Sequence, residues 1–193
     1  MGLTGICIRL VRRIRTGCWL VLAALARVIP QQRKRDARPV LVVLRPDAIG
    51  DYILFRPWLR WLREASPWAG WKIVLAGNTV WREFALDFDS GCFDEALWLD
   101  RRRLMRSPLC FFRLARRLHR SCPDLLVYPV VSRELLGDLL VRASRAGQAI
   151  AAECDGINLA RRFARRSDRW YTRLVPVAAR GFEFYRTRDF FGG

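Results

Sequence analysis

Residues 40–57, VLVVLRPDAIGDYILFRP, constrain this chain more than any other stretch. A run of apolar and β-branched residues from Val40 to Leu44 reads as a strand buried on both faces, as in a parallel sheet. Turn chemistry follows at Pro46, Asp47 and Gly50. Apolar residues then return at helical spacing, at Ile53, Leu54, Trp58, Leu59, Trp61 and Leu62. Strand, tight turn and helix open a βαβ unit, and ligands of open α/β sheets sit at the carboxyl ends of such strands. Gly50 has no Cβ and so lets the backbone pass close to a ligand. Asp51 falls in the first turn of the helix, facing that crevice. A carboxylate there also has a structural reason to exist, because it meets the orphan N–H groups and the positive end of the helix dipole.

The whole pattern, R-x-D-x-I-G-D-x-x-L-x-x-P from Arg45 to Pro57 behind an apolar strand, resembles the N-terminal signature of glycosyltransferase family 9. These are the ADP-heptose:lipopolysaccharide heptosyltransferases and their relatives. A second segment looks like the one that closes the first domain of that family. It comprises Tyr171-Thr172-Arg173-Leu174-Val175-Pro176-Val177, then Phe182-Glu183 and Arg188-Asp189-Phe190-Phe191. The resemblance runs from about Pro39 to the last residue and covers the first half of a family member.

With 193 residues the chain is long enough for one sizeable α/β domain and too short for two full Rossmann-like domains. Its formal charge of +17 is carried almost wholly by arginine, Lys34 and Lys72 being the two lysines. Residues 1–39 hold nine of the 35 basic side chains and one of the 18 acidic ones. This balance points to an anionic partner, whether nucleic acid, acidic lipid or phosphorylated glycan. An arginine-rich composition set by genome base bias has equal weight. The six cysteines, at 7, 18, 92, 110, 122 and 154, form no C-x-x-C pair and no metal spacing. Reduced, partly buried thiols are the simplest account of them. His119, the single histidine, reads as a surface residue of an arginine-rich helix.

Residues 1–29 alternate basic and apolar positions, with a nearly uncharged run from Cys18 to Ala26. That run is shorter than the roughly 20 residues a bilayer-spanning helix needs. It is read as an in-plane membrane-surface helix followed by a polybasic linker, attracted to anionic cytoplasmic lipid; the alternatives are a signal-like segment and a poorly ordered basic tail. The expected division is therefore 1–38, a basic amphipathic segment and linker, and 39–193, the domain.

Within the domain, helices are predicted at 50–64 with a kink or restart at Pro57, at 79–86 capped by Thr79, at 107–120, and at 132–144 capped by Ser132. Strands are predicted at 40–44, 71–76, 95–99, 124–131 and 148–152. The helix over 107–120 is expected to turn Leu109, Phe112, Leu114, Ala115 and Leu118 inward. Strands spaced by helices give a parallel sheet with right-handed crossovers.

The resemblance implies an α/β, Rossmann-like parallel sheet flanked by helices, the N-terminal half of a GT-B glycosyltransferase. It implies inverting transfer of heptose or a related sugar from a nucleotide-sugar such as ADP-heptose to a lipopolysaccharide core or other envelope glycan. No metal and no cofactor are implied. Asp51 matches the aspartate of the family's GD pair and is the expected catalytic base. Arg45, Asp47, Gly50 and Arg56 are the expected substrate-binding residues. Arg45 either steers a phosphorylated acceptor or pairs with Asp47 or Asp51, and Arg56 faces either the cleft or solvent. Asp47 also has the ordinary role of a turn aspartate. No phosphate-binding G-x-x-x-x-G-K-[ST] and no G-x-G-x-x-G follows the first strand, and Trp58, Trp61 and Trp98 read as core rather than as nucleic-acid stacking platforms.

The expected partners are an anionic glycolipid acceptor, the cytoplasmic surface of a bacterial inner membrane through residues 1–38, and a separate donor-binding domain; no specific nucleic acid is expected. Without that second domain the chain is expected to be incomplete by itself, as a truncated transferase or as one half of a split enzyme. The alternative is a non-catalytic glycolipid- or membrane-binding remnant of the same fold.

Overall fold

The protein, seen here as a computed structural model, is described over residues 17–28, 30–31, 38–177 and 181–192. Most of the expected polybasic linker, and residues 1–16, lie outside these. Six strands form one parallel sheet: β1 (Val40–Arg45), β2 (Lys72–Asn78), β3 (Glu95–Leu99), β4 (Leu125–Tyr128), β5 (Gln148–Ala152) and β6 (Arg173–Val175). Their order is β3-β2-β1-β4-β5-β6. β2 and β3 grow outward on one side of β1 and β4, β5 and β6 on the other, so the topology reverses between β1 and β4. The centre is VLVVL because β1 is covered on both faces and paired along both edges, to Lys72–Gly77 and to Leu125–Val127.

The two-residue period of β1 sorts the core. Val40, Val42 and Leu44 point to one face, where they meet Leu126, Phe111, Leu118 and Leu140. Leu41 and Val43 point to the other, where they meet Tyr52, Phe55, Leu59 and Leu62. Helices α5 (Pro108–Arg120) and α6 (Leu135–Ser144) cover the first face. Helices α2 (Ile49–Glu64), α3 (Arg82–Asp89) and α8 (Glu183–Gly192) cover the second. Shorter helices α4 (Arg101–Arg106) and α7 (Arg161–Ser167) complete the connections.

An N-terminal helix, α1, occupies residues 17–28. It is docked on the domain: Trp19, Ala23 and Ala26 are buried, and the Trp19 ring meets Phe111 edge-on at 5.0 Å. This part of the N-terminal segment thus belongs to the core layer of α5 and α6. Val21, Leu25 and Val28 form the opposite stripe and remain 58%, 50% and 78% exposed. Among the described residues no helix is long and apolar enough to cross a membrane.

Several local expectations change. α2 runs through Pro57 as one helix, with Pro57 on its exposed side. Asn78, not Thr79, caps the turn before α3, its side chain accepting from the Val80 N–H at 3.2 Å. α6 begins at Leu135, and Ser132 instead donates to Asp155. On α5 the buried stripe is Phe111, Leu114, Ala115 and Leu118, while Leu109 is exposed in the first turn. The same stripe carries His119 inward, one turn after Ala115. His119 is buried, with Nδ1 3.3 Å from the Ser144 carbonyl oxygen, and not on the surface. The five cysteines among the described residues are free thiols.

Candidate active site

The cleft of interest, about 260 Å³, opens at the carboxyl ends of β1 and β4, where the topology reverses. Asp47 and Asp51 line one wall, Ser132 and Glu134 another, and Glu183 and Arg186 of α8 a third. Arg101, at the start of α4, closes the rim and pairs with Glu134.

The β1–α2 turn is held from several sides. The Asn78 side-chain amide donates to the carbonyls of Pro46 (3.2 Å) and Asp47 (3.1 Å). The Trp81 indole N–H donates to the Asp47 carbonyl at 3.2 Å. Trp81 stacks on Tyr52 with ring centroids 3.9 Å apart, and its ring occupies the space a Cβ on Gly77 would need, 2.0 Å away. A glycine next to the carboxyl end of β2 is what admits this ring.

Beneath the turn lies Arg45. It follows Leu41 and Val43 in the alternation of β1, so it points into the α2–α8 layer and is fully buried. Nη1 donates to the Pro129 carbonyl at 2.8 Å, and Nη2 donates to the Asp51 carbonyl at 3.2 Å. The same nitrogen pairs with Asp47 Oδ2 at 2.6 Å and lies 3.6 Å from Glu183 Oε1. The guanidinium sits over the Phe55 ring, 4.7 Å from its centroid. A buried arginine so enclosed is the counter-charge of the carboxylates above it. Of the two roles open to Arg45, the geometry is that of the ion pair with Asp47; Arg45 does not line the cleft.

The carboxylates differ in surroundings. Burial pushes the Asp47 carboxyl up from 3.8 to about 6, Arg45 opposing this while Asp51 and Glu183 add to it. Its Oδ1 is buried and has no hydrogen-bond partner. Burial also raises Glu183, against the pull of Arg45 and Arg186. Asp51 stands in the first turn of α2. Two carboxylates, Asp47 and Glu183, thus share one buried guanidinium beneath a cleft that Asp51 also lines, with Asp47 poised near neutrality.

Arg56 lies elsewhere. Its Nε and Nη2 donate to the two oxygens of Asp89 at 2.7 and 3.0 Å, over the rings of Phe84 and Phe88. It is not on the wall of this cleft. Gly50 is exposed in α2, and a Cβ there would meet open space. Glu183, Arg186, Arg101, Glu134 and Ser132 line the cleft without having been named as site residues. Glu183 lay within the quoted C-terminal segment, and α8 brings it in by packing Phe191 on Trp58, centroids 6.0 Å apart. Arg186 reaches Asp155 at 3.4 Å and Glu183 at 3.6 Å. Among the described residues no three His, Cys, Asp or Glu side chains gather as a metal-binding group.

The fold is shared with two solved glycosyltransferases. The heptosyltransferase WaaC of E. coli, with ADP, superposes with a TM-score of 0.57 at 15% identity, over 79% of this chain and 46% of that one. A family 9 glycosyltransferase from Veillonella parvula gives a TM-score of 0.57 at 14% identity, over 83% of this chain and 43% of that one. The chain thus spans less than half the length of either. No family model and no curated protein matches the sequence. The parallel α/β fold expected from the Arg45–Pro57 signature is the fold these two structures have over the matched part.

Proposed function

We propose that this chain is the acceptor-side half of an inverting GT-B glycosyltransferase, acting on an anionic envelope glycolipid. The observation that carries the reading is the Asp47–Asp51 pair at the switch-point cleft of a sheet shared with two glycosyltransferase structures. In such a reaction an acceptor hydroxyl forms a bond to the anomeric carbon of the donor, and the bond from that carbon to the nucleoside diphosphate breaks. The proton of the hydroxyl passes to a carboxylate. Asp51, the match to the family's GD aspartate, is the base in this reading, and Asp47 beside it tunes the charge of the site. Arg101, paired with Glu134, and Arg186, paired with Asp155 and Glu183, are the cations on the walls, and an anionic acceptor would compete with those carboxylates for them. The nucleotide-sugar, ADP-heptose or a relative, is held by a second domain outside these 193 residues.

The reading places the chain at the inner face of a bacterial inner membrane. Its support is the outward stripe of α1, where Val21, Leu25 and Val28 are exposed, on a chain of formal charge +17. An exposed apolar stripe on a strongly basic chain suits an anionic lipid surface.

The test is sugar transfer from ADP-heptose to heptose-deficient lipopolysaccharide, with the chain alone and with a separately supplied second domain. Transfer is expected on complementation, falling by about 10²–10⁴-fold in Asp51→Asn. No transfer in either arm, with acceptor binding retained, would instead favour the non-catalytic glycolipid-binding reading.

A further inference from the structure

A second cleft, of about 290 Å³, opens where β3 ends, between α4 and α5. Trp98 and Leu114 contribute to its apolar floor, and Arg103, Arg113 and Arg117 stand on its walls beside Cys110. Among the described residues none of these three guanidinium groups meets a carboxylate, whereas Arg45, Arg56, Arg63, Arg101, Arg133 and Arg186 each do. The single acidic side chain on the wall, Asp100, is turned to the Arg103 backbone N–H at 2.9 Å and caps α4. Arg113 and Arg117 lie one turn apart on α5, a like-charged spacing that destabilises a bare helix and that a bridging anion would reverse.

We propose that this cleft is a phosphate-ester site, in which Arg103, Arg113 and Arg117 hold the phosphate and Trp98 and Leu114 carry the organic part. Bidentate guanidinium–phosphate pairing suits arginine, which presents paired donors in a rigid fork. The apolar floor distinguishes the site from a bare basic surface, because free phosphate gains nothing from Trp98. The site uses neither Asp47 nor Asp51, so it stands or falls independently of the transferase reading. The Cys110 thiol supplies a reporter at the wall. The Ser107 hydroxyl, and then Arg103 and Arg113, hold that thiol below its ordinary value.

The experiment is alkylation of Cys110 by a neutral iodoacetamide, followed at the level of the Cys110 peptide at constant ionic strength set with sodium chloride. Inorganic phosphate, glucose 1-phosphate and phosphatidic-acid vesicles are the probes. Glucose 1-phosphate is expected to slow alkylation several-fold and to do so at lower concentration than inorganic phosphate. Slowing by the vesicles as well would identify a lipid headgroup as a second source of the same chemistry. In Arg113→Gln/Arg117→Gln, two exposed positions on α5, the ratio of protected to unprotected rate should approach one. Protection absent with all three probes, matched by sodium chloride, or retained in the double variant would overturn the site.

Discussion

Asp47 holds its carboxylate 2.6 Å from the guanidinium of Arg45, a fully buried residue two positions earlier in the chain. The last residue of β1 thereby neutralises the turn that follows it. The pair lies on the α2–α8 side of the sheet and fixes the cleft wall from below.

Removing that cation should be severe. Arg45→Met leaves Asp47 and Glu183 without their shared counter-charge and the Pro129 carbonyl without its donor. Breaking a buried pair from one side costs about 3–5 kcal/mol. Urea unfolding at pH 7 should show a loss of that size, and the loss should shrink toward pH 5 as the carboxyls take up protons. A loss that does not change with pH would contradict the counter-charge role.

The Asp47 carboxyl titrates near 6 in the folded protein against 3.8 as its ordinary value. The folded state therefore binds the extra proton between these values, and stability falls as pH rises from about 4 to about 6. Asp47→Asn should flatten this part of the profile, measured as urea midpoints across the window. Below that window the sign reverses. Asp94, held at about 2 by Arg63, the Ile73 N–H and Arg38 despite its desolvation, loses stabilisation as pH drops from about 4. In the complemented transfer assay the rate should climb through pH 6 as Asp47 ionises, and that limb should be missing in Asp47→Asn.

Gly77→Ala places a Cβ 2.0 Å from the Trp81 ring. The ring must move, and it loses both its stack on Tyr52 and its hydrogen bond to the Asp47 carbonyl. Overpacking of this kind costs about 1–3 kcal/mol. Amide exchange at Asp47 and Ala48 should accelerate beyond what the global loss explains. Unchanged exchange there would separate Trp81 from the positioning of the turn.

The two faces of α1 should respond differently to substitution. Trp19→Ala opens a hole against Phe111 and should cost about 3–5 kcal/mol of folding stability. Leu25→Asp, on the exposed stripe, should leave stability nearly unchanged. It should lower flotation with anionic vesicles about tenfold, the value of one buried leucine. Deleting the whole helix mixes these effects, so the point variants are the cleaner measurement. Equal flotation of Leu25→Asp and the parent would exclude the stripe as a lipid contact.

What could be read from the chain beforehand was local. Strand, turn and helix from Val40 onward carry Asp47 and Asp51 to one crevice because a βα turn can hardly do otherwise. The burial of Arg45 was also legible, since it continues the alternation of Leu41 and Val43, although a charged residue at a strand end invites a solvent-facing reading. His119 and Phe111 follow one stripe with Ala115, which anchoring the helical pattern on Leu109 obscured. Glu183 and Arg186 of α8, Arg101 and Glu134 come from three distant segments, and only the packed sheet brings them together. Arg56 finds Asp89 through the packing of α2 on α3, which no spacing along the chain announces.

The place of β1 at the centre of the sheet bears on how the chain is made. Val40 is complete long before β4 emerges, since Asp124, just ahead of that strand, whose carboxylate receives the Val40 N–H, lies 84 residues downstream. At about 5–20 residues per second of synthesis, one edge of VLVVL waits several seconds on the ribosome before its partner emerges. During that interval the strand destined for the deepest burial is also the strongest lure for foreign β-strands. Yield in the cell should therefore depend on translation speed across residues 80–125 and on the chaperones that meet the nascent chain there.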